Sequence, residues 1–473
     1  MMIKKFWTMF LAVGMMCPLL RAEETAGPVE NHPVKYVFLF IGDGMSLPQR
    51  MLCREYLRRL QRDDLRINRL PVNGMTTTRC SNRLITDSAA AGTAIACGGK
   101  TNYGVLGLDP AGKRLESVAE VAHRNGRKVG IVTSVSIDHA TPAAFYAHNP
   151  SRGNYYDIGR DLIASGFEFF GGADFLQAKG KDGDLYDLAA RGGYRVIRDK
   201  SAFVALKPGE AARTLVSCPF SYAIDGDDTN IALAEYTEKV IAMLDNPHGF
   251  FLMVEGGKID WACHANDAAT ALREVFAFDA AVEVAYRFGQ QHPDDTLIVV
   301  TGDHETGALT LGFAGTAYSS YPERLQRQRI SYEKFSQQLK QLRQDGKLTW
   351  EAVKPLIEKN FGLKCDGSDD PLALTASEQE RLRQALARSL AGKDKLQDRQ
   401  AENRVLYGSY DPLCVTATHI LANKAGLGWN SFSHTSLPVW TSAWGRQAGC
   451  FNGMNDNTDI GNRLKLLVTP LRP

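Results

Sequence analysis

Three apolar runs in this chain each end in an acidic turn: YVFLFIGDG at 36–44, FFLMVEGG at 250–257 and LIVVTGDHETG at 297–307. Runs of this kind, apolar at successive positions and rich in β-branched and aromatic residues, read as strands covered on both faces. A fourth run at 128–133 has the same character, and stretches at 115–124 and 268–288 carry helical spacing. Strand and helix in alternation predict an α/β fold: a three-layer sandwich with a central, mostly parallel β-sheet between helices. With 473 residues, 44% hydrophobic and 23% charged, the chain can bury a large core, which excludes disorder and fibres. Length alone does not set the domain count, because α/β enzymes of this size often consist of one sheet carrying insertions.

From about 313 to 430 the character changes to charged, Gln-rich sequence, with apolar residues at Phe335, Leu339 and Leu342 and again at Leu382, Leu386 and Leu390. This spacing predicts amphipathic helices. Thr375 followed by Glu378 has capping-box form, and a further helix is expected to open at Asp411-Pro412 and end before Gly426. We read 313–430 as a helical insertion into a domain that otherwise spans 23–473.

Lys4 and Lys5 precede an apolar run at 6–20, and Ala22 offers a small residue for cleavage. Residues 1–22 therefore read as a secretory signal peptide, placing the mature chain in the periplasm or outside the cell. The run is interrupted by Pro18 and is shorter than the roughly 20 residues that cross a bilayer, so no transmembrane span is expected. Cys17 offers lipid attachment as an alternative, disfavoured by the bulky Met15 and Met16. The remaining cysteines show no CxxC spacing, and their pairing is not legible from sequence. With 55 Lys plus Arg against 53 Asp plus Glu and no long run of one sign, nothing points to nucleic acid as a partner.

The chemistry concentrates at the strand ends. Taken singly, Gly-Asp-Gly is a common turn and Asp-His can cap a helix. Several such ends at the carboxyl edge of an open α/β sheet mark a ligand site instead. Asp260 and His264, four apart, share a helix face, as two ligands of one ion must, and their chemistry suits zinc; the alternative is an intrahelical pair worth a few tenths of a kcal/mol. Ser88 in TDSAAAGTA stands at a helix start with tiny residues beside it, where amides favour an anion; the alternative is an N-cap. No Gly-x-Ser-x-Gly elbow is present, which argues against a hydrolase triad.

Asp43 in IGDGM, Ser88 in TDSAAAGTA, Thr141 in HATPAA, Arg152 in SRGNYYD, then VEGGKIDWACH, TGDHETG and His434 in SHTS follow one another in an order that resembles the alkaline phosphatase family. The resemblance covers nearly the whole mature chain except the helical insertion. It implies that Asp260, His264 and His434 hold one Zn2+, that Asp43, Asp303 and His304 hold a second Zn2+ beside Ser88, and that Asp43, Thr141 and Glu255 hold a third ion, usually Mg2+. It further implies a homodimer that hydrolyses small phosphate monoesters through a phosphoseryl intermediate, with Ser88 as nucleophile and Arg152 gripping the phosphoryl oxygens. Two positions depart from the best-known bacterial pattern. His139 stands near the third metal where Asp is typical, which favours Zn2+ or Co2+ there, and Trp261 replaces a Lys that approaches phosphate through water. Two other readings stay open at this stage. One is a phosphodiesterase, sulfatase or phosphomutase of the same superfamily, although no Cys-x-Pro-x-Arg setting is found; the other is a noncatalytic phosphate-binding protein.

Overall fold

A computed structural model describes residues 34–391 and 400–469; the proposed signal segment and Cys17 lie outside the described residues. The strands are β1 (Tyr36–Gly42), β2 (Val72–Thr77), β3 (Lys128–Ser136), β4 (Phe169–Ala173), the short ribbon of β5 (Lys179–Gly180) and β6 (Gly183–Asp184), β7 (Tyr194–Ile197), β8 (Arg213–Ser217), β9 (Phe250–Glu255), β10 (Thr296–Gly302), β11 (Glu305–Thr306), β12 (His434–Thr435), β13 (Val439–Gly445) and β14 (Gly453–Asp456). Ten of them form one sheet in the order β14–β2–β13–β10–β1–β9–β3–β4–β8–β7. Only β13 runs against its neighbours, β10 and β2; the other pairings are parallel.

The central strands β1, β9 and β10 are buried at every position, which is why their sequences lack polar alternation. Their side chains still divide by the period of two that a pleated strand imposes. Phe38, Phe40, Leu252, Val254, Ile298 and Val300 join one apolar cluster, together with Tyr56, Val240 and Phe278 from the helices Leu47–Arg59, Leu233–Leu244 and Ala268–Gln291. Val37, Leu39, Phe251, Met253, Leu297 and Val299 join the other, with Ile95, Val121, Leu162 and Leu464 from Ser88–Cys97, Val118–Arg124, Tyr155–Ser165 and Asn457–Val468. The sheet thus lies between two helical layers, as its sequence predicts.

Between β11 and β12 the chain makes a long excursion through the helices Tyr332–Gln344, Trp350–Phe361, Ala376–Ala391, Gln400–Tyr407 and Pro412–Lys424. Phe335, Leu339 and Leu382 are buried in the same cluster as β1, whereas Leu390, expected on the apolar stripe, is 49% exposed in the last turn of its helix. Thr375 and Glu378 cap each other as expected, and Asp411 caps Pro412–Lys424, beyond which Gly426 takes a positive φ. Among the described residues no helix is long and apolar enough to cross a membrane, and none of the eight cysteines is bridged.

Candidate active site

Strand register places the acids. Ile41 on β1 pairs with Glu255 on β9, and Gly42 with Gly302 on β10. Asp43, Glu255 and Asp303 therefore emerge side by side at the carboxyl edge, where open α/β sheets bind ligands. On the far side of β9, Thr133 pairs with Glu255 and donates its hydroxyl to the Glu255 carboxylate. The turn after β1 requires glycine at Gly44: φ is +71°, and a Cβ there would come within 2.8 Å of Asp260 Oδ1 and Thr306 Oγ1.

Three groups of ligand-type side chains converge here: Asp260, His264 and His434; Asp43, Asp303 and His304; and Asp43, His139 and Glu255, with Asp43 common to two of them. Thr141 Oγ1 lies 3.4 Å from Asp43 Oδ2. His434 arrives from far along the chain because β11 and β12 pair, setting Thr306 against His434. In the first group, His264 Nδ1 lies 2.7 Å from the Phe432 carbonyl and His434 Nδ1 lies 2.9 Å from the Thr86 carbonyl. A carbonyl only accepts, so each Nδ1 carries the hydrogen and each neutral ring presents an Nε2 lone pair. Those two Nε2 atoms stand 3.1 Å apart, with Asp260 oxygens 3.3 and 3.6 Å away. Facing lone pairs repel unless a cation or proton lies between them. Without an ion a proton serves: burial opposes a charged His264, but Asp260 outweighs burial and lifts its pKa to about 9.

The second group is fully buried, and in the third only His139 keeps a trace of exposure. His304 Nε2 is 3.3 Å from Asp43 Oδ1 and 3.2 Å from Asp303 Oδ2. Asp43 Oδ1, Asp303 Oδ2, Glu255 Oε1 and His139 Nδ1 are buried without a hydrogen-bond partner. Unsatisfied buried acceptors on adjacent carboxylates are costly, and multivalent cations remove the cost. Burial first, then mutual repulsion, raises Asp43 well above the usual carboxylate range; burial and the Asp260 charge push Asp303 up to about 7, and burial together with Asp303 pushes Glu255 up to about 8. Burial, assisted by Arg152, holds His139 down at about 3, so its imidazole is neutral and able to ligate. The residues present thus fit divalent metal ions in all three positions.

Ser88 is the first residue of the helix Ser88–Cys97, and its Oγ lies 3.2 Å from His304 Nε2. The cap is not Ser88 but Asp87, whose Oδ1 accepts from the Ala90 amide at 3.2 Å. The other Asp87 oxygen takes Arg152 Nη1 at 3.0 Å, and Arg152 Nη2 stands 3.5 Å from His139 Nε2. The sequence reading named every ligand-type residue in this cluster but none of the groups that orient them. Asp87 fixes Arg152, and Thr306 donates to Asp260 Oδ1 at 2.5 Å and stands 3.3 Å from His304 Nδ1. Both sit inside motifs already singled out, so their hydroxyl or carboxylate chemistry was the available signal; the Thr86 and Phe432 carbonyls leave no side-chain trace. Trp261 is half-buried, its ring 5.7 Å from that of His139 and edge-on to it.

A serine at a helix start, facing clustered carboxylates and imidazoles at the edge of a doubly covered sheet, is the arrangement expected of a metal-dependent phosphatase, and known proteins similar to this chain belong to that class. The alkaline phosphatase family profile matches residues 34–174 and 169–469. Alkaline phosphatase 4 of Bacillus subtilis is 30% identical over 92% of this chain and 89% of its own, and the repressible alkaline phosphatase of Saccharomyces cerevisiae is 29% identical over 92% and 81%. Among solved structures, the cold-active alkaline phosphatase of Shewanella sp. superposes with a TM-score of 0.77 at 27% identity, covering 92% of this chain and 100% of that one. The Thermus thermophilus alkaline phosphatase gives 0.76 at 29% identity, covering 95% of each. This chain belongs to the alkaline phosphatase family.

Proposed function

We propose that this protein hydrolyses phosphate monoesters to an alcohol and orthophosphate through a phosphoseryl intermediate. The observation that carries the reading is the placement of Ser88 Oγ, 3.2 Å from His304, at a helix start against three converging ligand groups. Two zinc ions, one on Asp260, His264 and His434 and one on Asp43, Asp303 and His304, would supply Lewis acidity toward attacking and departing oxygens, with a third ion on Asp43, Thr141 and Glu255. The Ser88 oxygen gives up its proton to solvent and forms the new bond to phosphorus as the ester oxygen leaves with its bonding pair and takes up a proton from solvent to give the alcohol. Water then attacks the phosphoserine from the vacated side, which frees phosphate and restores the hydroxyl. Two inversions leave the configuration at phosphorus retained.

Arg152 faces this point with Asp87 holding one end of its guanidinium, so the fork is oriented before substrate arrives. The helix amides behind Ser88 favour the same negative charge. His139 adds a neutral imidazole to an otherwise oxygen-rich third group, which supports Zn2+ or Co2+ there as readily as Mg2+. The Lys4–Ala22 pattern supports export, the family resemblance supports a homodimer, and the charged, amphipathic sequence of 313–430 supports an insertion there.

Hydrolysis of p-nitrophenyl phosphate at alkaline pH by the purified chain, with metal content measured on the same sample, tests the proposal. Ser88→Ala should lose at least about 10³-fold in kcat while keeping its metals. A metallated wild type without turnover, or a variant as active as the parent, refutes it.

A further inference from the structure

Outside the metal cluster, a cavity of about 760 Å³ opens among the helices of the 307–433 excursion. Tyr332, Tyr407 and Tyr410 give it flat aromatic walls, and Lys340, Arg343, Arg388 and Arg404 give it four cations. Those cations are unequally engaged. Arg388 is committed to Glu402 and Asn403, each at 2.8 Å, and Arg343 Nη2 to Asp411 at 3.2 Å. Lys340 and Arg404 have no side-chain partner among the described residues. Arg343 Nε and Asn403 Nδ2 are buried donors with no hydrogen bond. The two acids on the wall are otherwise occupied: Asp411 accepts from the Leu413 and Cys414 amides, and Glu333 from Gln337. Unmet donors, and cations without a side-chain partner among the described residues, in one pocket call for an anionic ligand.

The cavity adjoins a cleft that reaches the first ligand group at His264. Arg404, Gly408, Ser409 and Tyr410 also line a cleft of about 450 Å³ whose opposite wall is His264 and residues 431–433. Tyr410 spans the junction, its ring 5.6 Å from Tyr332 in the cavity and 6.4 Å from Phe432, whose carbonyl orients His264. An ester held at the cluster through its phosphoryl group can therefore run its alcohol portion past Tyr410 toward Lys340 and Arg404.

We propose that cleft and cavity form a leaving-group subsite selecting phosphate monoesters whose alcohol portion carries a second anionic group at its far end. The inference rests on the phosphatase reading. Contacts this remote take no part in bond cleavage, so they act through kcat/KM for long, doubly charged substrates.

The test compares α,ω-alkanediol bisphosphates of increasing length with alkyl monophosphates of equal length, using the full mature chain with its metals. At one optimal length the bisphosphate should be favoured about tenfold in kcat/KM, the yield of one charge-assisted contact. The double variant Lys340→Ala/Arg404→Ala should bring that ratio close to one, and Arg404→Lys, which keeps the charge, should retain most of it. A flat length series, or an advantage that survives the double variant with its melting temperature intact, overturns the subsite. p-Nitrophenyl phosphate separates the two ideas: turnover of this ester without any second-anion preference removes the subsite alone, and no turnover removes the phosphatase reading and the subsite with it.

Discussion

The carboxyl edge of the sheet and the helical excursion that hangs from it solve the problem of polar groups in opposite ways. In the excursion, the starts of Tyr332–Gln344, Trp350–Phe361 and Ala376–Ala391 are closed from within: Ser331 accepts from the Lys334 amide, Thr349 from Ala352, and Thr375 and Glu378 from each other's amides. At the sheet edge, Asp43, Glu255, Asp303 and His139 each leave a buried atom unpartnered. These helix starts thus meet their own polar needs while the excursion's apolar residues share the core of the sheet, even though Arg343 Nε and Asn403 Nδ2 stay unmet in its cavity, whereas the edge keeps buried acceptors for something bound. The comparison teaches where ions matter to stability as well as to chemistry.

The largest expected effect comes from chelation. In the metal-free chain Asp303 and Glu255 have folded pKa values of about 7 and about 8, above those of ordinary carboxylates. Groups raised in this way stabilise the fold fully below their unfolded pKa, and that contribution is lost as pH rises through 7 and 8. Calorimetry of chelated protein should therefore show melting several degrees lower at pH 9 than at pH 6, and zinc should abolish the difference. A chelated protein that melts higher at pH 9 breaks the contrast between the two regions.

Thr306→Val removes the hydroxyl that donates to Asp260. Loss of such an outer partner should weaken metal affinity about 10–100-fold, read by competition with a chromogenic chelator; unchanged affinity would mean that the ligands orient themselves. Trp261 in place of a Lys is expected to loosen the phosphate product and speed its release, so Trp261→Lys, which puts a cation beside His139, should tighten product inhibition by phosphate about tenfold. Equal or weaker inhibition defeats the idea that Trp261 speeds release. Smallest of all, Thr375→Ala removes a cap in the excursion and should cost about 1 kcal/mol in denaturant unfolding. It should do so equally with and without zinc, and a zinc-dependent cost would show that the two regions are not independent.

The central fold was legible because β1, β9 and β10 are covered on both faces, so burial left continuous apolar runs that differ from the observed strands by a residue at their ends. The outer strands were not. β2, VNGMTT, is half-exposed and carries Asn and Gly, and β7 and β14 are four residues long, too short for a period to register. Ligand-type residues at the site were visible because metal chemistry restricts them to Asp, Glu and His in fixed motifs. Their orienting partners were hidden for a physical reason: a backbone carbonyl at Phe432 or Thr86 can be supplied by any residue. Local rules alone left an N-cap open as the alternative for Ser88; Asp87 takes that role, so the Ser88 hydroxyl is not committed to its own helix and lies 3.2 Å from His304 Nε2.

The two-residue ribbon of β11 and β12 also sets the order in which the molecule can assemble. His264 and His434 lie 170 positions apart, and only the closing of that ribbon brings the second to the first. Contacts so distant in sequence form late, because the entropy of ordering the intervening chain must be overcome first. The first ligand group is therefore complete only after the whole helical excursion has been made and has docked. An ion captured there would arrive at the end of folding, acting as a latch on a finished structure and not as the nucleus around which it grew.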